Sequence, residues 1–211
     1  MNSSSGPAPA VTASRLRALP PSVGPVRLVG IDGHAGSGKS TLAARLAAEL
    51  GAAPVIPLDS IASHDALFAW TDRLTAQVLE PFARGEAAHP GVYDWERRAF
   101  TRTAVVPPAP VVLLEGVGAG RRAVRPHLSL LLWVDVSEAE AWSRGRRRDG
   151  PRLAAFWRNW QRAERRHFAD DPSRPWADIL LAPWSGGYHA SWHGPPGAGG
   201  GLRRNPLWGT S

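Results

Sequence analysis

Cysteine is absent from the 211-residue chain. That excludes disulfides, thiolate zinc sites, iron–sulfur clusters and a cysteine nucleophile. Lysine is nearly absent too: Lys39 is the only one among 25 basic residues. No apolar run reaches the ~18 residues of a membrane span. The N-terminus lacks the charged start and apolar core of a secretion signal. The seven histidines show no metal-ligand spacing, so no protein-held transition metal is expected. These absences predict a cytoplasmic protein with no membrane partner.

What is present is biased. Hydrophobic residues make up 43% of the chain, and the net charge is +7 with a pI near 11.2. Such a surface attracts polyanions, whether nucleotides or nucleic acid. The abundance of Ala, Gly, Pro and Arg reads as a compositional bias that explains part of the basicity. Nucleic acid is therefore not the expected partner.

Residues 1–24, rich in Ser, Ala, Pro and Gly, read as a flexible leader. Residues 183–211, with the run Gly197-Ala198-Gly199-Gly200-Gly201, read as a disordered tail that nonetheless carries tryptophans. Residues 25–182 are long enough for one domain. There, apolar runs alternate with helical patterns. Val26–Ile31, Val55–Leu58, Val111–Leu114, Leu128–Val134 and Ile179–Leu181 predict strands. Leu42, Leu46 and Leu50, four apart, predict a helix that stops at Gly51. Leu67, Trp70, Leu74, Val78 and Phe82 predict a second. Ser137 is positioned to cap a third that ends near Arg148, and residues 152–168 predict a fourth. Strands without polar alternation, separated by helices, imply an α/β domain. Its doubly wound parallel sheet would have about five strands, with helices on both faces. Ligands in such a fold sit at the carboxyl ends of the strands.

The sharpest motif is Gly33-His34-Ala35-Gly36-Ser37-Gly38-Lys39-Ser40. It fits the phosphate-loop pattern between a strand and a helix. Its glycines allow the backbone to curl with amides facing inward, and the helix N-terminus adds to that anion nest. Lys39 supplies a mobile charge for the β and γ phosphates, and the Ser40 hydroxyl suits Mg²⁺. From this composition a chance match has odds of roughly one in a thousand. A chain so poor in lysine places its one ammonium where a compact point charge works better than a planar guanidinium. ATP and Mg²⁺ are the expected cofactors.

Further groups follow in order. Asp59 closes the second strand, where a carboxylate can accept the proton of an attacking hydroxyl. A turn or cap role would place it equally well. Tyr93-Asp94-Trp95 offers a stacking ring and a carboxylate for sugar hydroxyls, or else a turn anchored by aromatics. Glu115 ends the third strand ahead of Gly116. Arg144 and Arg148 lie one helical turn apart and could close over the phosphates, or simply complement a helix C-terminus. His64 reads as a surface histidine, and the helix holding Trp157, Trp160 and Glu164 reads mainly as packing. Asp178 reads as structural.

From Ile31-Asp32-Gly33 through Lys39-Ser40-Thr41, and in the order of the later groups, residues 26–181 resemble the uridine kinase-like phosphate-loop kinases. The resemblance implies ATP binding by residues 33–41. It implies Asp59 as base, and Ser40 and Glu115 as metal-linked groups. It also implies Lys39, Arg144 and Arg148 as phosphoryl-neutralising groups, and Tyr93, Asp94 and Arg98 lining the acceptor pocket. The chain departs from that family at Ile61-Ala62-Ser63-His64, where an aromatic usually follows the Asp. It departs again at Arg98, which stands where a histidine would be, and in lacking a further Arg-Gly-Arg segment. The expected activity moves the γ-phosphoryl of ATP to a small hydroxylated acceptor, most simply a nucleoside. A nucleoside monophosphate kinase using Arg97, Arg98 and Arg102 is the alternative within kinases; a nucleotide-binding module without transfer is the alternative outside them. Homo-oligomerisation is left open.

Overall fold

The apolar runs form one sheet in the computed structural model, which describes residues 13–184 and 187–192. Its strands are β1 (Arg27–Asp32), β2 (Val55–Pro57), β5 (Val111–Glu115), β6 (Leu130–Val134), β7 (Ile179–Trp184) and β8 (Gly187–Trp192). A separate hairpin pairs β3 (Gly91–Asp94) with β4 (Ala99–Thr103). The sheet order is β2-β5-β1-β6-β7-β8. All pairings are parallel except the last, β7 with β8.

The central strands are buried along nearly their whole length because both faces are covered. Alternate residues divide between the faces. Val29, Ile31, Leu113 and Leu132 pack under α2 (Lys39–Glu49), meeting Leu42, Leu46 and the C-cap Leu50. Leu28, Val112 and Leu114 face the other way, onto Trp70, Leu74, Val78 and Phe82. Those four lie on or beside one rod built from α4 (Thr71–Leu74), a wider π-type turn (Thr75–Leu79) and α5 (Glu80–Ala83). Pro81 lacks the N–H that the Gln77 carbonyl would otherwise receive. That carbonyl accepts from His89 N at 3.0 Å instead, and Gln77 Oε1 accepts from Gly91 N at 2.9 Å, so the distorted turn anchors the hairpin.

Past the sheet, α6 (Glu138–Asp149) and α7 (Ala154–Asp170) close one side of the site. Ser137 caps α6 as its sequence predicts, accepting from Glu140 N. Trp142, Trp157 and Trp160 fill the seam between the two helices.

Two boundaries differ from the sequence reading. Residues 1–12 of the expected leader lie outside the described residues, but 13–24 pack on the fold. Helix α1 (Ala13–Ala18) buries Leu16, with Leu19 beside it, against the α2 face. Arg17 also ties the helix down by donating to the Leu50 carbonyl at 2.8 Å. In the expected disordered tail, residues 187–192 form β8, which satisfies the edge of β7; residues 193–211 lie outside the described residues. Three apolar residues in α1 were too few for periodicity to register. Among the described residues, no helix is long and apolar enough to cross a membrane.

Candidate active site

The site begins where β1 stops. Gly33, Gly36 and Gly38 all adopt positive φ, which turns the chain sharply into α2. Gly38, the N-cap, offers no side chain, so no side-chain cap satisfies the first amides of α2. Uncapped amides at the start of an eleven-residue helix are an anion site. The loop side of Gly36 is packed hard on α6: a Cβ there would lie 2.1 Å from the Ala141 carbonyl oxygen. Within the loop the buried Ser37 hydroxyl has no hydrogen-bond partner among the described residues. A group inside a phosphate-binding turn that lacks a partner in the protein fits an incoming anion.

Lys39 is buried, and its ammonium donates to the carbonyls of Gly33 and His34, both at 2.9 Å. Ser40 Oγ donates to Glu115 Oε1 at 3.1 Å. The β1–β5 register sets Glu115 beside Ile31, which brings the metal-type pair together at one sheet edge. Burial pushes the Glu115 carboxyl above its ordinary pKa; Lys39 pulls the other way. Two adjacent hard oxygens suit Mg²⁺, provided the phosphates and water supply the rest of its coordination. Among the described residues, no group of three His, Cys, Asp or Glu gathers to hold a metal without such help.

Asp59 sits in the short helix α3 (Leu58–Ile61), just beyond β2. Its side chain is exposed to solvent, yet protein atoms crowd closely around it. That crowding raises its pKa, Lys39 and Arg148 oppose the rise, and Glu164 and Asp149 add to it. Trp95 Nε1 donates to the Asp59 carbonyl at 3.0 Å. Around it, His64, Tyr93, Trp95 and Phe156 form a ring cluster, with centroid distances from 4.9 to 6.4 Å. His64 is thus no surface histidine: its Nδ1 lies 3.0 Å from the Tyr93 hydroxyl. It stands in the segment that lacks the aromatic expected after Asp59.

The other sequence-predicted groups divide. Arg148 reaches Asp149 at 2.6 Å, and its charge is felt at Asp59. Arg144 pairs with Glu140 on the exposed face of α6 and is not drawn toward the loop. Asp94 is engaged within its own hairpin. Its Oδ1 accepts from Glu96 N at 3.0 Å and Arg97 N at 2.8 Å, closing the β3–β4 turn. Those backbone bonds hold its carboxyl below the usual range. Arg98 is exposed in the same turn at a positive φ of 54°. In this structure Asp94 closes the hairpin turn and Arg98 lies within it. Asp178 is structural, as expected, accepting from Leu131 N at 2.7 Å.

Two carboxylates escaped the sequence reading. Asp32 is fully buried and accepts from Gly33 N (2.7 Å), Gly118 N (2.9 Å) and Gly120 N (2.9 Å). It thereby ties the phosphate loop to the loop after β5. An acid directly before the first loop glycine was its only signal. Glu164 is fully buried on α7 and bonded to the phosphate loop. Its neighbours Trp157 and Trp160 gave its segment the look of plain packing.

No family model matches the sequence, and no curated protein matches it. Solved structures do. A possible uridine kinase from Bacillus stearothermophilus aligns with a TM-score of 0.58 and 19% identity, over 80% of this chain and 94% of that one. A provisionally assigned fructose transport system kinase from Silicibacter sp. TM1040 aligns with a TM-score of 0.52 and 23% identity, over 76% of this chain and 85% of that one. The mostly parallel sheet, the glycine-bent turn between β1 and α2, and these neighbours together give the chain the fold of the phosphate-loop kinases.

Proposed function

We propose that the protein is an ATP-dependent phosphotransferase that moves the γ-phosphoryl group to a hydroxyl of a small acceptor, with a nucleoside as the best-supported acceptor. The observation that carries this reading is convergence at one sheet edge. Lys39, the Ser40–Glu115 pair and Asp59 come from three different strand ends, and the Lys39 charge is felt at both carboxylates.

In this reading, the amides of residues 36–41 and the Lys39 ammonium hold the β and γ phosphates. Ser40 and Glu115 would hold Mg²⁺, which neutralises charge on the phosphate oxygens. Asp59 takes the proton of the acceptor hydroxyl as its oxygen bonds to the γ phosphorus. The bond from that phosphorus to the β–γ bridging oxygen breaks, and ADP leaves. Arg148, whose charge acts on Asp59, neutralises charge spread onto the transferring oxygens. The structure of the lid supports Arg148 in that role better than Arg144.

The ring cluster of Tyr93, Trp95, His64 and Phe156 beside Asp59 favours a flat acceptor that stacks. An acceptor that already carries a phosphate would need its own cations. Arg97 and Arg98 are exposed on the hairpin turn and Arg102 on the exposed β4, which weighs against a monophosphate. The test is acceptor-stimulated ADP release with uridine, cytidine, CMP and dCMP. Stimulation by the nucleosides is expected. Stimulation by the monophosphates alone would move the activity to nucleoside monophosphate kinase, and no stimulation by any acceptor would leave a nucleotide-binding module.

A further inference from the structure

We propose that Glu164 is a positioning residue for Lys39, acting through the single peptide plane between His34 and Ala35. The proposal rests on the reading of residues 33–41 as a polyphosphate site. A trans peptide directs its N–H and its C=O to opposite sides. In this plane the Ala35 N–H donates to Glu164, 3.2 Å from Oε1 and 3.4 Å from Oε2. The His34 carbonyl on the other side accepts from Lys39 Nζ at 2.9 Å. Carboxylate, peptide and ammonium therefore form one polarised line, in which each bond strengthens the next.

The carboxylate end of that line is fixed. Trp160, one turn earlier on α7, donates Nε1 to Oε2 at 2.6 Å. The His34 ring lies with Nδ1 2.8 Å from Oε1. Trp133, Trp142 and Phe168 pack edge-on against that ring, at 5.6, 6.3 and 5.3 Å, so it has little room to swing. Glu164 itself is fully buried. A carboxylate in such a place is costly unless its oxygens are well bonded. An apolar residue would serve the helix seam without that cost. Two of its three donors belong to the phosphate loop, so the loop is where a carboxylate makes a difference.

Removing the charge and one of the two acceptor oxygens loosens the hold on the peptide and lets it rotate. The His34 carbonyl would then leave the Lys39 ammonium, which has two carboxylates, Asp59 and Glu115, within its electrostatic reach. The loss should therefore fall on polyphosphate recognition rather than on nucleoside recognition.

The test compares the full chain with Glu164→Gln by calorimetric titration of ATP, ADP and AMP in the presence of Mg²⁺. ATP should bind about tenfold more weakly or worse, because the amide offers three donors a single neutral acceptor oxygen where the carboxylate offers two charged ones. AMP should bind as it does to wild type, so the preference for ATP over AMP collapses. Trp160→Phe, which keeps an aromatic ring in the helix seam but removes the indole N–H with part of the ring volume, should shift that preference the same way by less, and it carries the test if Glu164→Gln fails to fold. A folded Glu164→Gln protein with unchanged ATP affinity overturns the proposal. So does an equal loss for all three nucleotides, the mark of general loosening. Wild-type protein that binds none of them would instead remove the loop reading beneath it.

Discussion

At the scale of single residues, two carboxyls work against their surroundings. Asp59 and Glu115 are each held above the ordinary carboxyl range, chiefly by crowding or burial. For catalysis, Asp59 must be ionised to accept a proton. Transfer should fall as pH drops through the raised value, placing the acid limb above about pH 4, where a free aspartate titrates. Asp59→Asn should keep ATP binding and lose transfer by about a hundredfold or more, measured as acceptor-stimulated ADP release. Near-wild-type release would remove Asp59 as the base. For stability the sign is opposite to that of a salt-bridged acid. A carboxyl whose pKa is raised by folding favours the folded state when protonated, and that contribution is lost as pH rises through the folded value. Glu115→Gln should therefore raise the thermal midpoint of the nucleotide-free protein near pH 8, with the gain vanishing below about pH 4. A lower midpoint at alkaline pH would contradict the burial argument.

At the scale of elements, the strands and the phosphate loop were legible because their signals are local. Val111–Leu114 is continuously apolar, and the loop motif is a fixed spacing of glycines, one lysine and one serine. The positions of Asp59 and Glu115 were legible for the same reason, each being the first acid at or just past the end of a strand. What the sequence hid depends on contacts distant along the chain. Glu164 touches residues about 130 positions away, and His64 meets Tyr93 across 29. The turn-closing part of Asp94 was not legible because a turn-closing acid and a sugar-binding acid look alike until the hairpin is seen. Helix α1 hid because its anchor is essentially one side chain. Leu16 is fully buried, so Leu16→Ala should cost about 2–5 kcal/mol, the range for truncating a core leucine, read by denaturant unfolding. A cost within error of zero would return residues 13–24 to the status of a leader.

At the scale of the whole molecule, the excess of arginine looks less like a binding surface than the net charge of +7 suggests. Several arginines are engaged within the fold: Arg125 with Asp171, Arg165 with Glu138 and Arg174 with Asp135. Lys39 is different, since both of its bonds go to loop carbonyls and none to a carboxylate. The parallel sheet brings Lys39, the Ser40–Glu115 pair and Asp59 to the same edge, and α6 and α7 stand on one side of it. The most direct test is therefore calorimetric titration of Mg²⁺ and a non-hydrolysable ATP analogue into wild type and Lys39→Ala. The account predicts saturable one-to-one binding to wild type and no detectable binding to a folded Lys39→Ala protein. Equal affinity for the two proteins, or no binding to either, would contradict it.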